Sequence, residues 1–298
     1  MTYRTEPDAR YLEQSPYTDL GGLDLATFPR DPAGLAQVVR GLILHTLEGD
    51  RFGHTIPMER LREEPESRYV TEMLRILGAR STAPLTESRP PEDRVVGTCR
   101  DFSVLHCALL RATGTPARVR CGYARYFGDG FHDDHWVTEY RLPDGGWRLV
   151  DAQLVDGGHD VPFDPMDVPR DQFLVADAAW RACRSGGADP ATFGVSHIDG
   201  LFGLWMVRGN MLRDLAALHG VEVLPWDCWG ISEPEAAAEA PADELDLLDA
   251  LAAAHERPEE LARFTTDPRL AVPREIISYT THGGVRKVTL PSPLPIGE

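Results

Sequence analysis

Gly97 to Tyr123 reads GTCRDFSVLHCALLRATGTPARVRCGY, and its first cysteine has a type and a place that could do chemistry. Thr98 and Asp101 stand at the Ser/Thr-x-x-Asp/Glu spacing of a capping box, which puts Cys99 in the first turn of a helix. Phe102, Leu105, His106, Leu109 and Leu110 then recur as the stripe of a core-facing helix, and Cys99 lies on that stripe. A thiol at a helix N-terminus meets unpaired N–H groups and the positive end of the helix dipole, and both favour the nucleophilic thiolate. Cys107, in the middle of the same helix, has no such surroundings and is read as a buried apolar filler. Asp101 is read as a cap.

A thiolate nucleophile needs a base that later acts as an acid, and the base needs an orienting partner. His135 opens HWVTEYRL and Asp151 sits in WRLVDAQL, two strand-like runs separated by PDGG. A two-residue turn at Asp144-Gly145 would pair Thr138 with Asp151 and turn His135 to the other sheet face. An odd loop of three or five residues centred on Asp144 pairs Val137 with Asp151 instead. His135 and Asp151 are then diagonal neighbours on one face, roughly 7–8 Å apart at the backbone. Gly145 and Gly146 supply the positive φ that such bulged loops use. His132 and His159 are rival bases. The run HDDH at 132–135 also invites a metal, but no third placed ligand is visible, so no metal is expected. His106, two turns down the cysteine helix, reads as a core histidine.

Asp31-Pro32 marks an N-cap and first helical residue, and apolar spacing from Leu35 to Leu47 predicts a helix to about Glu48. Tyr69, Met73, Leu74 and Leu77 predict a second helix stopped by Gly78, followed by a loop over 81–94. Three strands are expected at Arg118–Tyr126, His135–Leu142 and Trp147–Leu154, with FGDGFHDD as the first connection. Loop over 155–170, helices near Asp177–Cys183, Leu201–Leu218 and Asp243–His255, a linker at 234–244, and a hairpin around Gly283-Gly284 complete the chain. That order of elements gives an α+β fold. A formal net charge of −17 disfavours nucleic acid and anionic membrane as partners. Five cysteines without a CxxC pair argue against a disulfide framework or a zinc cluster. MTYRTEPDAR lacks the apolar core of a signal peptide and no apolar run is long enough to span a bilayer, so a cytoplasmic location is expected.

The segment from Gly97-x-Cys99-Arg100-Asp101-Phe102 through Gly114-x-Pro116-Ala117-Arg118 to Gly122-Tyr123 resembles the nucleophile segment of bacterial transglutaminase-like proteins. HWVTEY and GGWRLVDAQ are similar to that family's histidine and aspartate strands, so the resemblance covers 95–154. It implies a papain-like α+β core, with a cysteine-bearing helix packed on an antiparallel sheet. It also implies Cys99 as nucleophile, His135 as general base and acid, Asp151 as orienter, and no cofactor. Two departures stand beside these sites: Trp136 directly follows His135, and Ala152-Gln153 stands where Pro-Thr is frequent. Residues 1–154 are expected to hold N-terminal helices and this core, and 155–298 a mainly helical extension packed on it. The implied reaction is acyl transfer or hydrolysis at an amide or thioester carbonyl, with an amine or water as acceptor. A cysteine peptidase or amidase, and a silent binding module, are the alternatives. The Cys99 N–H is one oxyanion donor; the sequence leaves the second open.

Overall fold

Asp31 Oδ1 accepts the Gly34 N–H at 2.8 Å and Pro32 takes the first helical position, so α1 (Pro32–Leu42) starts where its signals place it. It ends earlier than expected. Ile43–His45 forms a strand, β1, which pairs in parallel with β2 (Val95–Gly97), His45 lying opposite Gly97. Long-range pairing overrides the helical spacing there, helped by β-branched Ile43. The computed structural model describes residues 9–128, 130–233, 240–255, 257–280 and 282–291, so the expected linker lies outside them up to residue 239. After the short α2 (Met58–Glu63), helix α3 (Val70–Arg80) runs past Gly78. Helix α4 (Cys99–Ala112) begins at the cysteine.

The main sheet has the order β5-β4-β3-β6, built from β3 (Ala117–Ala124), β4 (His132–Arg141), β5 (Trp147–Val150) and β6 (Phe173–Val175), all antiparallel neighbours. β4 starts three residues ahead of His135, inside the expected connection. The cause is tertiary: Asp133 pairs with Ala124, and His132 and Asp133 pair with β7 (Phe193–Gly194). β5 stops at Val150 instead of Leu154, because Asp151–Leu154 closes a turn (Leu154 N–H to Asp151 O, 3.1 Å). At Gly122 an added Cβ would fall 2.2 Å from the Leu174 carbonyl oxygen, so only glycine lets β6 approach β3.

Thr138 pairs with Val150 and Arg141 with Trp147. Between them Leu142 N–H bonds Gly146 O (2.8 Å), Gly145 N–H bonds Leu142 O (3.0 Å), and Gly145 holds φ at +94°. This is the odd loop, and its register continued one step sets Val137 opposite Asp151.

Helix α4 packs its apolar stripe with α1 on Val119, Cys121, Trp136 and Tyr140 of the sheet, giving an α+β core. The alternate β4 residue Val137 joins Leu149, Phe173 and Val175 in a separate cluster. Helices α5 (Ala176–Arg184), α6 (Leu204–Leu218) and α7 (Ala242–Ala254) form a second core with Tyr123 and Phe193. A small sheet of β8 (Asp227–Cys228), β9 (Glu275–Thr280) and β10 (Gly284–Thr289) adjoins it, the last two making the expected hairpin. No described helix is long and apolar enough to cross a membrane.

Buried charge ties α6 to the sheet. Arg120 forks onto Asp214 (3.0 and 2.9 Å) and also bonds Glu139 (2.9 Å), while the Cys121 N–H adds a bond to Asp214 (2.9 Å). Asp214 is fully buried, so removing its carboxylate strands the Arg120 charge in a dry site. Asp214→Ala is expected to lower unfolding stability by about 3–5 kcal/mol in urea titrations. A loss below about 1 kcal/mol would show that this network does not hold the helix to the sheet.

Candidate active site

The Thr98 N–H donates to Asp101 Oδ2 (2.7 Å), the capping contact that the Thr98–Asp101 spacing implies. Arg100, fully buried, bonds Asp101 Oδ1 (3.0 Å), the Ser67 carbonyl (3.3 Å), the Arg68 carbonyl (2.6 Å) and the Glu222 carbonyl. The start of α4 is thus held from both sides. The Ser103 hydroxyl bonds the Cys99 carbonyl (2.9 Å). Cys99 is the first residue of the helix, so no earlier helical carbonyl accepts its N–H. Its side chain is nearly buried, at 9% exposure. Burial pushes the other thiols up: Cys107 to about 12, Cys183 to about 11, and Cys121 and Cys228 also upward.

His135 Nε2 meets Asp151 Oδ2 at 2.7 Å, both side chains buried. Nε2 is thereby taken by Asp151, and the ring is in electrostatic contact with Cys99. The geometry follows from the strand ends. β5 pairing stops at Thr138, so that strand does not cover the β4 edge beside His135. Burial alone would lower the His135 pKa. The Asp151 carboxylate and Cys99 outweigh it and raise the value to about 10.

Asp151 is fixed in turn. Its Oδ2 also accepts the Tyr126 hydroxyl (2.7 Å), its Oδ1 accepts the Gln153 N–H (3.1 Å), and its own N–H bonds the Pro165 carbonyl (2.9 Å). Tyr126, Phe127 and Phe173 set ring edges around the imidazole, with centroids 5.9, 4.9 and 6.3 Å away. Nothing in the spacing singles out Tyr126, which lies two residues beyond the end of β3.

His45 lies on β1, within the stretch whose apolar spacing predicts a helix. Its Nδ1 accepts the Leu47 N–H at 3.2 Å, and burial lowers its pKa to about 4. A neutral ring with Nδ1 accepting carries its proton on Nε2. The ring is in electrostatic contact with His135 and Asp151.

The rival histidines are engaged elsewhere. His132 stacks on Phe193 at 4.0 Å and faces Thr192, His159 bonds Glu48 (2.8 Å), and His106 bonds the Pro32 carbonyl (3.1 Å). The HDDH run does not converge: Asp133 accepts the Ser196 N–H and Asp134 the Asn210 amide. Among the described residues the cluster close enough to share an ion is Asp177, Asp214 and His255. Arg120 and Arg181 already occupy its carboxylates.

Residues 67–152, a span holding Cys99, His135 and Asp151, match the model of the transglutaminase-like superfamily. The chain is also similar to the crystal structure of a "putative cysteine protease" from Cytophaga hutchinsonii. Identity is 20% over 58% of this chain, with a TM-score of 0.26. The match spans about half of that protein (47%). No curated protein matches the chain.

A folded-state pKa of about 10, above the unfolded value of roughly 6.5, fixes the sign of a titration. The stability that the His135 charge contributes is complete below about pH 6.5 and is lost as pH rises through about 10. NMR of imidazole-labelled protein is expected to find His135 doubly protonated at about pH 8 and Asp151→Asn deprotonating it well below that. A neutral His135 at neutral pH in the unmodified protein would contradict the coupling.

Proposed function

We propose, from the transglutaminase-like core that residues 67–152 form, that the chain transfers or hydrolyses an acyl group through a thioester on Cys99. The observation that carries this reading is the His135 ring, bonded at 2.7 Å to Asp151 and in electrostatic contact with the thiol at the head of α4. Cys99 Sγ attacks an amide or thioester carbonyl carbon, forming a C–S bond as the carbonyl π electrons move to oxygen. His135 gives its proton to the departing amine or thiolate as the tetrahedral centre collapses to the acyl-thioester. An amine or water then gives a proton to His135 and attacks the thioester carbonyl; the C–S bond breaks and the thiolate returns. Asp151 holds the ring in place and balances its charge. Tyr126 and the Gln153 N–H keep that carboxylate aimed. For the oxyanion, the candidate donors are the Cys99 N–H and the Nε2–H of His45, whose backbone pairs with Gly97 two residues before Cys99.

Near-complete burial of Cys99 suits a slender acyl group better than a folded protein surface. The donor is therefore expected to be an acyl chain or an extended peptide side chain, with an amine or water as acceptor.

Purified protein mixed with hydroxylamine and a panel of amide and thioester donors tests the reading. Hydroxamate formation reports transfer, and product release without it reports an amidase or peptidase. Silence with every donor favours a binding module on the same fold. Cys99→Ala is expected to abolish turnover, and Asp151→Asn to lose about 10⁴-fold while keeping a residual rate. His45→Ala should lower kcat by about 10²-fold with KM little changed, and His45→Gln should recover part of it. Full activity in Asp151→Asn would mean that His135 works with another partner.

A further inference from the structure

Arg94 is buried at 8% exposure, yet among the described residues no carboxylate lies within ion-pairing distance of it. Its Nε donates to the Arg89 carbonyl (2.8 Å) and its guanidinium lies 4.7 Å over the Phe52 ring. Neither contact neutralises the charge. Among the described residues its only hydrogen-bonded side-chain nitrogen is Nε, and the residue lines a cavity of about 430 Å³ between α1, the 86–88 loop and Asp156. Arg40, at 2% exposure, lines the same cavity, and among the described residues its buried Nη2 has no hydrogen-bond partner.

The surrounding charges do not balance. Arg40, Arg51 and Arg94 all crowd Phe52, at 5.3, 5.0 and 4.7 Å from the ring centre. The carboxylates facing them are Glu48 and Asp156. Glu48 takes Arg40 Nη1 (2.7 Å) and His159 (2.8 Å), while Asp156 takes Arg40 Nε (2.7 Å) and Arg51 (2.8 Å). Three guanidiniums against two carboxylates leave one unit of positive charge in a chain whose formal net charge is −17. Burial, and after it the Arg40 charge, lower the Arg94 pKa, as expected for a cation that lacks its counter-ion.

We infer that this cavity is a binding site for a small oxyanion, a carboxylate or phosphate group held by the forked N–H groups of Arg94 with Arg40 and the Ser88 hydroxyl at its wall. Asp156 does not close the site to anions, because Arg40 and Arg51 already neutralise it. The site uses none of Cys99, His135 or Asp151, so it stands whether or not the acyl chemistry does.

Isothermal titration of the full chain with inorganic phosphate, and separately with succinate, tests the site against sodium chloride at matched ionic strength. At least one probe should bind saturably with one-to-one stoichiometry, and the probe that binds identifies phosphate or carboxylate chemistry. Arg94→Gln should abolish that binding. Arg94→Lys keeps the charge, guards against misfolding of the glutamine variant, and should weaken it about tenfold or more. Cys99→Ala should bind as the unmodified chain does. The site is overturned by absence of saturable binding to both probes, by equal binding in a folded Arg94 variant, or by loss of binding in Cys99→Ala.

Discussion

The 2.7 Å bond between His135 Nε2 and Asp151 Oδ2 exists because β4 and β5 pair in one parity and not the other. Side chains alternate across a strand, so a one-residue slip would send His135 and Asp151 to opposite faces. The Leu142–Gly146 closure, with Gly145 at φ +94°, sets that parity locally. Much of the site is arranged around the result. β5 ends after Val150, and Asp151 turns into a loop where Tyr126 and the Gln153 N–H reach it.

Two sets of buried contacts keep that arrangement from drifting. At the head of α4, Arg100 bonds backbone carbonyls from Ser67, Arg68 and Glu222, so segments far apart in the chain fix where Cys99 stands. Across the sheet, Arg120 joins Glu139 of β4 to Asp214 of α6, and Arg118 adds a second bond to Glu139 (2.6 Å). Such pairs cost desolvation and are strong only when every partner is present, so they specify position more than they add stability. Helix α6 is in this way bonded to the strands that carry the site.

Some of this was legible from residue types alone, and physics says which parts. The cap at Thr98 and the odd loop at Asp144 are local: both depend on residues a few positions apart, and both formed as their spacing implies. His45 was hidden because β1 exists only by pairing with β2, a contact that apolar spacing within 31–48 does not reveal. Tyr126 was hidden because its direction is set after β3 has ended, where alternation no longer applies. The early start of β4 and the Arg120–Asp214 fork likewise depend on long-range neighbours, β7 and α6. Arg94 offers no sequence signal at all, since its lack of a carboxylate is a property of the packed interior.

The proposed function requires the β4–β5 register to make one working unit of Cys99, His135 and Asp151. The most direct measurement inserts one residue between Asp144 and Gly145 and follows the rate at which iodoacetamide alkylates Cys99, with NMR of the β4–β5 amides to establish the pairing. If His135 turns away from Asp151 in a folded chain, the alkylation rate near neutral pH is predicted to fall by about tenfold or more. An unchanged rate in a folded chain with shifted pairing would contradict the claim that these residues act together.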